Sequence, residues 1–187
     1  MIAGSARGRV LRLPLGAPTR PTSGRLREAL FSMLEAADAD FDRVLDLYAG
    51  SGALGIEALS RGAGSGTFVE VDPRAIAAVR DNLARLGFEA ESTVVRARVG
   101  QWLPGADATF TLVLADPPYD EAAAWDAIER SVQGNLAPGA TLVVEHAAKR
   151  GPPPRLAGLA LWRDRRHGEG AVAIFREPHE QDAGEDR

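Results

Sequence analysis

Short runs dense in branched and aliphatic residues recur along the chain: "RVLDLYA" from Arg43, "GTFVEVD" from Gly66, "STVVRARV" from Ser92, "FTLVLAD" from Phe110 and "ATLVVEH" from Ala140. Two more, "LALWRDR" and "AVAIFRE", lie near the end. Runs this short and this apolar predict buried strands. Between the early ones the period changes. Ile76, Val79, Leu83 and Leu86 are spaced 3, 4, 3, and Trp125, Ile128, Val132 and Leu136 are spaced 3, 4, 4, which predicts one apolar helix stripe each. The first of these helices is well punctuated, with Asp72 placed to cap it, Pro73 at its first position and Gly87 at its exit.

Strands alternating with helices up to about residue 140 predict an α/β fold, a doubly wound, mostly parallel sheet. The last two runs are joined only by "RHGEG", too short for a helical crossover, so they predict an antiparallel hairpin at the C-terminal end of the sheet. "GPPPRLAG" and the acidic tail read as linker or disorder.

At 187 residues and 45% hydrophobic content, the chain suffices for one domain with a real core. Cysteine is absent and the three histidines are scattered, which argues against disulfides and a metal site. With no apolar leader and no membrane-length run, a cytoplasmic protein is expected. The net charge of −4 is unevenly spread. Residues 1–27 hold six arginines and no acid, so a basic arm leads an acidic body.

Two loops carry candidate chemistry. The first strand runs into "DLYAGSGALGIEALSRGA", where Gly50, Gly52 and Gly55 complete G-x-G-x-x-G between a strand and a helix, a pattern that lets a ligand approach the backbone and a helix N-terminus. Twenty residues beyond Gly50, Glu70 ends the second strand, where an acid suits the two hydroxyls of a ribose. Any adenosine-containing cofactor fits this much. Asp46, four residues before the first glycine, would repel the pyrophosphate of NAD and suits an ammonium group instead.

The second loop is "LVLADPPYDE", where Pro117 and Pro118 end the strand because neither can donate to a ladder. Asp116 and the Pro117 carbonyl there can both accept from an exocyclic amine, drawing its lone pair out of the ring, while Tyr119 stacks on the base. A tight structural turn is the plain alternative for each loop. An NAD-dependent oxidoreductase and a non-catalytic RNA-binding module are the other classes open at this point.

These residues resemble the class I S-adenosylmethionine-dependent methyltransferases with an (N/D)-P-P-Y motif. With "TRPTSGRLREALFSML" directly upstream of "DLYAGSGALGIEALSRGA", the chain is similar to the RsmD-type enzymes, which methylate N2 of a guanine in 16S ribosomal RNA. The resemblance implies a seven-stranded sheet and divides the chain into a basic arm at 1–27, a methyltransferase domain at 28–177 and an acidic tail at 178–187.

S-adenosylmethionine would meet Asp46, Tyr48, Gly50, Gly52, Gly55, Glu70 and Asp116. The target base would meet Asp116, Pro117 and Tyr119, and the RNA would meet Arg7, Arg9, Arg20, Arg25 and Arg27. No metal is implied, and the partner would be ribosomal RNA or the assembling small subunit, met by a monomer. An adenine-N6 methyltransferase of the same motif class is the alternative within this resemblance. Arg98 stands where relatives often have an acid or amide facing adenine, and Gly24 where they commonly carry Asp.

Overall fold

A computed structural model describes residues 1–14, 24–118 and 123–178. Its elements are α1 (Gly24–Ala36), β1 (Arg43–Leu47), α2 (Ala53–Ser60), β2 (Ser65–Glu70), α3 (Pro73–Leu86), β3 (Ser92–Arg96), β4 (Phe110–Ala115), α4 (Ala124–Val132), β5 (Leu136–Ala147), β6 (Arg155–Leu156), β7 (Leu159–His167) and β8 (Gly170–Arg176). All eight strands form one sheet in the order β3-β2-β1-β4-β5-β8-β7-β6. From β3 across to β5 every pairing is parallel, whereas β8 is antiparallel to both β5 and β7. The strand order reverses between β1 and β4, and the crevice above that point is where ligands bind in doubly wound sheets.

Side chains alternate across each strand, so the sheet has two apolar faces. Leu112, Leu114, Phe68 and Ile174 point to one face and are covered by Phe31 and Leu34 of α1, Ile56 of α2, and Val79 and Leu83 of α3. Val113, Leu142, Val144 and Phe175 point to the other, under Ile128 and Val132 of α4. The expected punctuation of α3 is present: Asp72 accepts from the Arg74 amide at 2.8 Å, Pro73 opens the helix, and Gly87 closes it at φ +78°. The terminal hairpin also forms, with only Gly168 and Glu169 between paired strands and Gly168 at φ +62° supplying the turn.

Three expectations need correction. The apolar stripe that runs from Trp125 to Leu136 is broken before its last member, because Gly134 at φ +81° ends the helical path and Leu136 begins β5. No helix joins β3 to β4. Residues 97–109 cross the sheet as loop, and their polar groups are met from α4 and the turn after it: Ser131 accepts from the Gly100 amide at 2.7 Å, and Asn135 donates to the Gly105 and Ala108 carbonyls. Finally, "GPPPRLAG" is not a bare linker. Its Leu156 is buried, and Arg155–Leu156 adds an eighth, two-residue strand to the seven expected.

Candidate active site

β1 delivers Asp46 to the face covered by α2, one residue before the strand ends. The chain then turns sharply, with Tyr48 at φ +60°, Gly50 at +57° and Gly52 at +78°. Gly52 caps α2 without a side chain, so the first-turn amides need acceptors from elsewhere. Asp46 supplies one, taking the Gly55 amide at 2.8 Å. Gly55 is required by contact rather than by φ: a Cβ there would lie 2.5 Å from the Phe68 ring and 2.9 Å from the Asp46 carboxylate. The glycine thus lets α2 settle directly onto the carboxylate.

Glu70 ends β2 two residues beyond Phe68, the register partner of Asp46, and so shares its face. One of its carboxylate oxygens accepts from Gly50 at 2.9 Å, and the other from Val71 at 2.6 Å and Asp72 at 2.9 Å. A carboxylate has about four acceptor sites, so these three bonds fix its orientation and leave room for a hydroxyl.

Across the switch point, Ala115 pairs with Leu47, and the following Asp116 amide lies 3.4 Å from the Leu47 carbonyl. Asp116 is half-buried, Pro117 buried and Pro118 exposed, and the turn leaves the sheet at the mouth of the glycine loop. Tyr119 lies outside the described residues.

Burial raises the Asp46 carboxyl well above its ordinary range; the Gly55 hydrogen bond opposes this, and the neighbouring Asp116 and Glu70 charges reinforce it. Three carboxylates around one loop form a field that repels a pyrophosphate and attracts a cation. S-adenosylmethionine, with a sulfonium and an ammonium group, fits that donor set, and the dinucleotide does not. Among the described residues no group of three or more His, Asp or Glu side chains is arranged to hold a metal ion. No described helix is long and apolar enough to cross a membrane.

The basic arm meets the body through residues that the sequence did not flag. Glu57, fully buried on α2, accepts the Ile2 and Ala3 amides at 2.9 and 3.0 Å and pairs with Arg61 at 2.9 Å. Ser60 accepts from Ala6 at 2.9 Å and donates to the Ala3 carbonyl at 2.6 Å. Gly4 crosses so close that a Cβ would lie 1.6 Å from the Ser60 carbonyl oxygen.

Asn82 of α3 accepts the Arg12 amide at 2.7 Å and donates both to the Arg12 carbonyl, at 2.9 Å, and to Ser51 of the glycine loop, at 3.0 Å. The only local hint of these roles is a polar residue on an otherwise apolar helix face, as with Glu57 in "GIEALS".

Of the arginines expected on RNA, Arg7, Arg9 and Arg25 are exposed, and Arg20 lies outside the described residues. Arg27 is a correction. Its side chain is only 15% exposed and turns inward, 3.9 Å from Glu57, and burial lowers its pKa despite that partner. It stabilises the α1–α2 contact rather than reaching solvent. Arg9 donates to the Arg85 carbonyl in the last turn of α3 at 3.3 Å, which places it at the edge of the sheet opposite Asp116.

Residues 1–176 match the family described as Conserved hypothetical protein 95. The ribosomal RNA small subunit methyltransferase D of Escherichia coli is 34% identical over 177 residues, covering 94% of this chain and 88% of its own. The chain belongs to the RsmD family.

YlbH of Bacillus subtilis, another of its relatives, is 35% identical over 182 residues, covering 94% of this chain and 97% of its own. The solved structure of the putative methyltransferase yhhF from Escherichia coli superposes with a TM-score of 0.79 at 32% identity, over 96% of this chain and 98% of that one. The segment "IAGSARG" lies along "GIEALSRGA", which follows the glycine loop, through Glu57 and Ser60.

Proposed function

We propose that this chain transfers a methyl group from S-adenosylmethionine to the exocyclic N2 of a guanine in 16S ribosomal RNA. The observation that carries this reading is the seating of the Asp116 corner beside the end of β1, across the switch point from Asp46 and Glu70. The RNA is that of relatives such as the ribosomal RNA small subunit methyltransferase D of Escherichia coli.

When bound, S-adenosylmethionine provides a methyl group made electrophilic by its sulfonium. The chain's own part is orientation. The glycine loop allows close backbone approach, Tyr48 and the loop residues Gly50, Gly52 and Gly55 shape the site for the methionine end, and Asp46 with Asp116 balances its cationic charge. Glu70, fixed by three amides, receives the ribose hydroxyls.

An exocyclic amine is a weak nucleophile because its lone pair is shared with the ring. Asp116 and the Pro117 carbonyl accept its two hydrogens, which restores the lone pair's direction, and Tyr119 stacks on the base. Arg7, Arg9, Arg20 and Arg25, the last in the first turn of α1, contribute phosphate contacts. The protein works as a cytoplasmic monomer on ribosomal RNA or the assembling small subunit.

Adenine N6 is also an exocyclic amine with two hydrogens, and the same corner suits it. Nucleoside mass spectrometry of small-subunit RNA treated with the protein separates the two. N2-methylguanosine is expected, and N6-methyladenosine in its place would move the assignment to adenine.

A further inference from the structure

The exposed cations of the N-terminal arm do not all lie at the catalytic edge, since Arg9 sits at the C-terminal end of α3. A second group does. β7 is antiparallel to β8, and β8 to β5, so β7 and β5 both point their C-termini to the edge where β4 presents Asp116. Arg165, Arg166 and His167 end β7, and Lys149 and Arg150 follow β5; all five are exposed.

Register places them together. Arg166 pairs with Ala171, which pairs with His146, and His167 reaches Ala147 through Gly170 in the same way. The Ala148 amide donates to the Glu169 carbonyl at 2.9 Å, fastening the turn after β5 to the hairpin tip. Buried His146 holds the rest, with one ring nitrogen 3.0 Å from Asp164 of β7 and the other 2.9 Å from the Arg150 carbonyl.

The nearby acids do not outnumber this charge: Glu145 is half-buried, and the exposed Asp164 and Glu169, the first of them bonded to His146, stand beside one lysine and three arginines. β7 stands three strand spacings from β4, about 14 Å.

We propose that Lys149, Arg150, Arg165 and Arg166 form a phosphate-binding surface that holds substrate RNA on the β7 side of the Asp116 corner. The inference rests on the reading of this chain as an RNA methyltransferase. Positive side chains on a hairpin at this edge bind the RNA backbone without reading its bases, and so hold the nucleotide beside the Asp116 corner. A hairpin built into the sheet suits this task, because the anchor then sets the distance from the bound strand to the target base.

The test is filter binding of an in vitro transcript of 16S ribosomal RNA to wild-type protein and to the Arg165→Gln/Arg166→Gln double variant, over a salt series. The variant is expected to bind at least tenfold more weakly near physiological salt, with a log–log salt slope shallower by roughly 1.4 to 1.8. Its thermal midpoint and its S-adenosylmethionine affinity should match wild type. Wild-type affinity and slope in the double variant would overturn the surface. Loss of binding in the variant, with no methyl transfer by wild type to any RNA, would support the surface and instead strike the reading of function.

Discussion

Asp46 and Gly55 are joined by a 2.8 Å hydrogen bond from the helix amide to a carboxylate that is only 2% exposed. That bond ties the end of β1 to the first turn of α2, and it leaves the carboxyl in surroundings that favour its protonated form. In the pH interval between the unfolded and the raised native value, the native protein therefore holds a proton that the unfolded chain releases. The resulting stability is fully present below the unfolded carboxyl pKa, about 3.9, and is lost as pH rises through the raised native value. Asp46→Asn removes the titration. Urea denaturation across a pH series should show the difference in stability moving in the variant's favour as pH rises; a difference that moves toward wild type would contradict this assignment.

Glu70 acts on the same loop from the neighbouring strand. Replacing it with Ala removes the acceptor of the Gly50 amide along with the proposed acceptor of the ribose hydroxyls. Affinity for S-adenosylmethionine should fall by at least tenfold, in line with about 1.5–3 kcal/mol for hydrogen bonds to a charged group. Calorimetry measures this directly, and unchanged affinity would remove Glu70 from the site.

Asn82 links the arm to the glycine loop through three hydrogen bonds and is 1% exposed. Asn82→Ala should cost about 1–3 kcal/mol through the partners it leaves unmet. It should also free the arm locally, so trypsin should cut after Arg12 faster than in wild type. Equal cleavage rates would show that Asn82 does not hold the arm.

Much of this architecture is legible in the sequence, for a local reason. The strands that position the site are continuous apolar runs, and α3 carries its own start and stop in Asp72, Pro73 and Gly87. The glycine loop and the Asp116 corner are equally local, each being a strand end followed by residues that force a turn. What was not legible depends on distant partners. Glu57, Ser60 and Asn82 bond to residues 54 to 70 positions away, and Arg27 counts as a surface cation until Glu57 is placed beside it. The helix-free crossover from β3 to β4 is likewise sustained by Ser131 and Asn135, which follow it in the chain. Leu136 continues a helical spacing by coincidence, and the positive φ of Gly134 decides against it.

Asp116 carries the central claim, and one measurement tests it most directly: transfer of labelled methyl from S-adenosylmethionine to small-subunit ribosomal RNA by wild type and by Asp116→Ala, with cofactor affinity measured on the same preparations. The account predicts that the variant retains most of its cofactor affinity and loses methyl transfer by at least a hundredfold, about 2.7 kcal/mol of transition-state stabilisation. Transfer by the variant at a rate near wild type would contradict it.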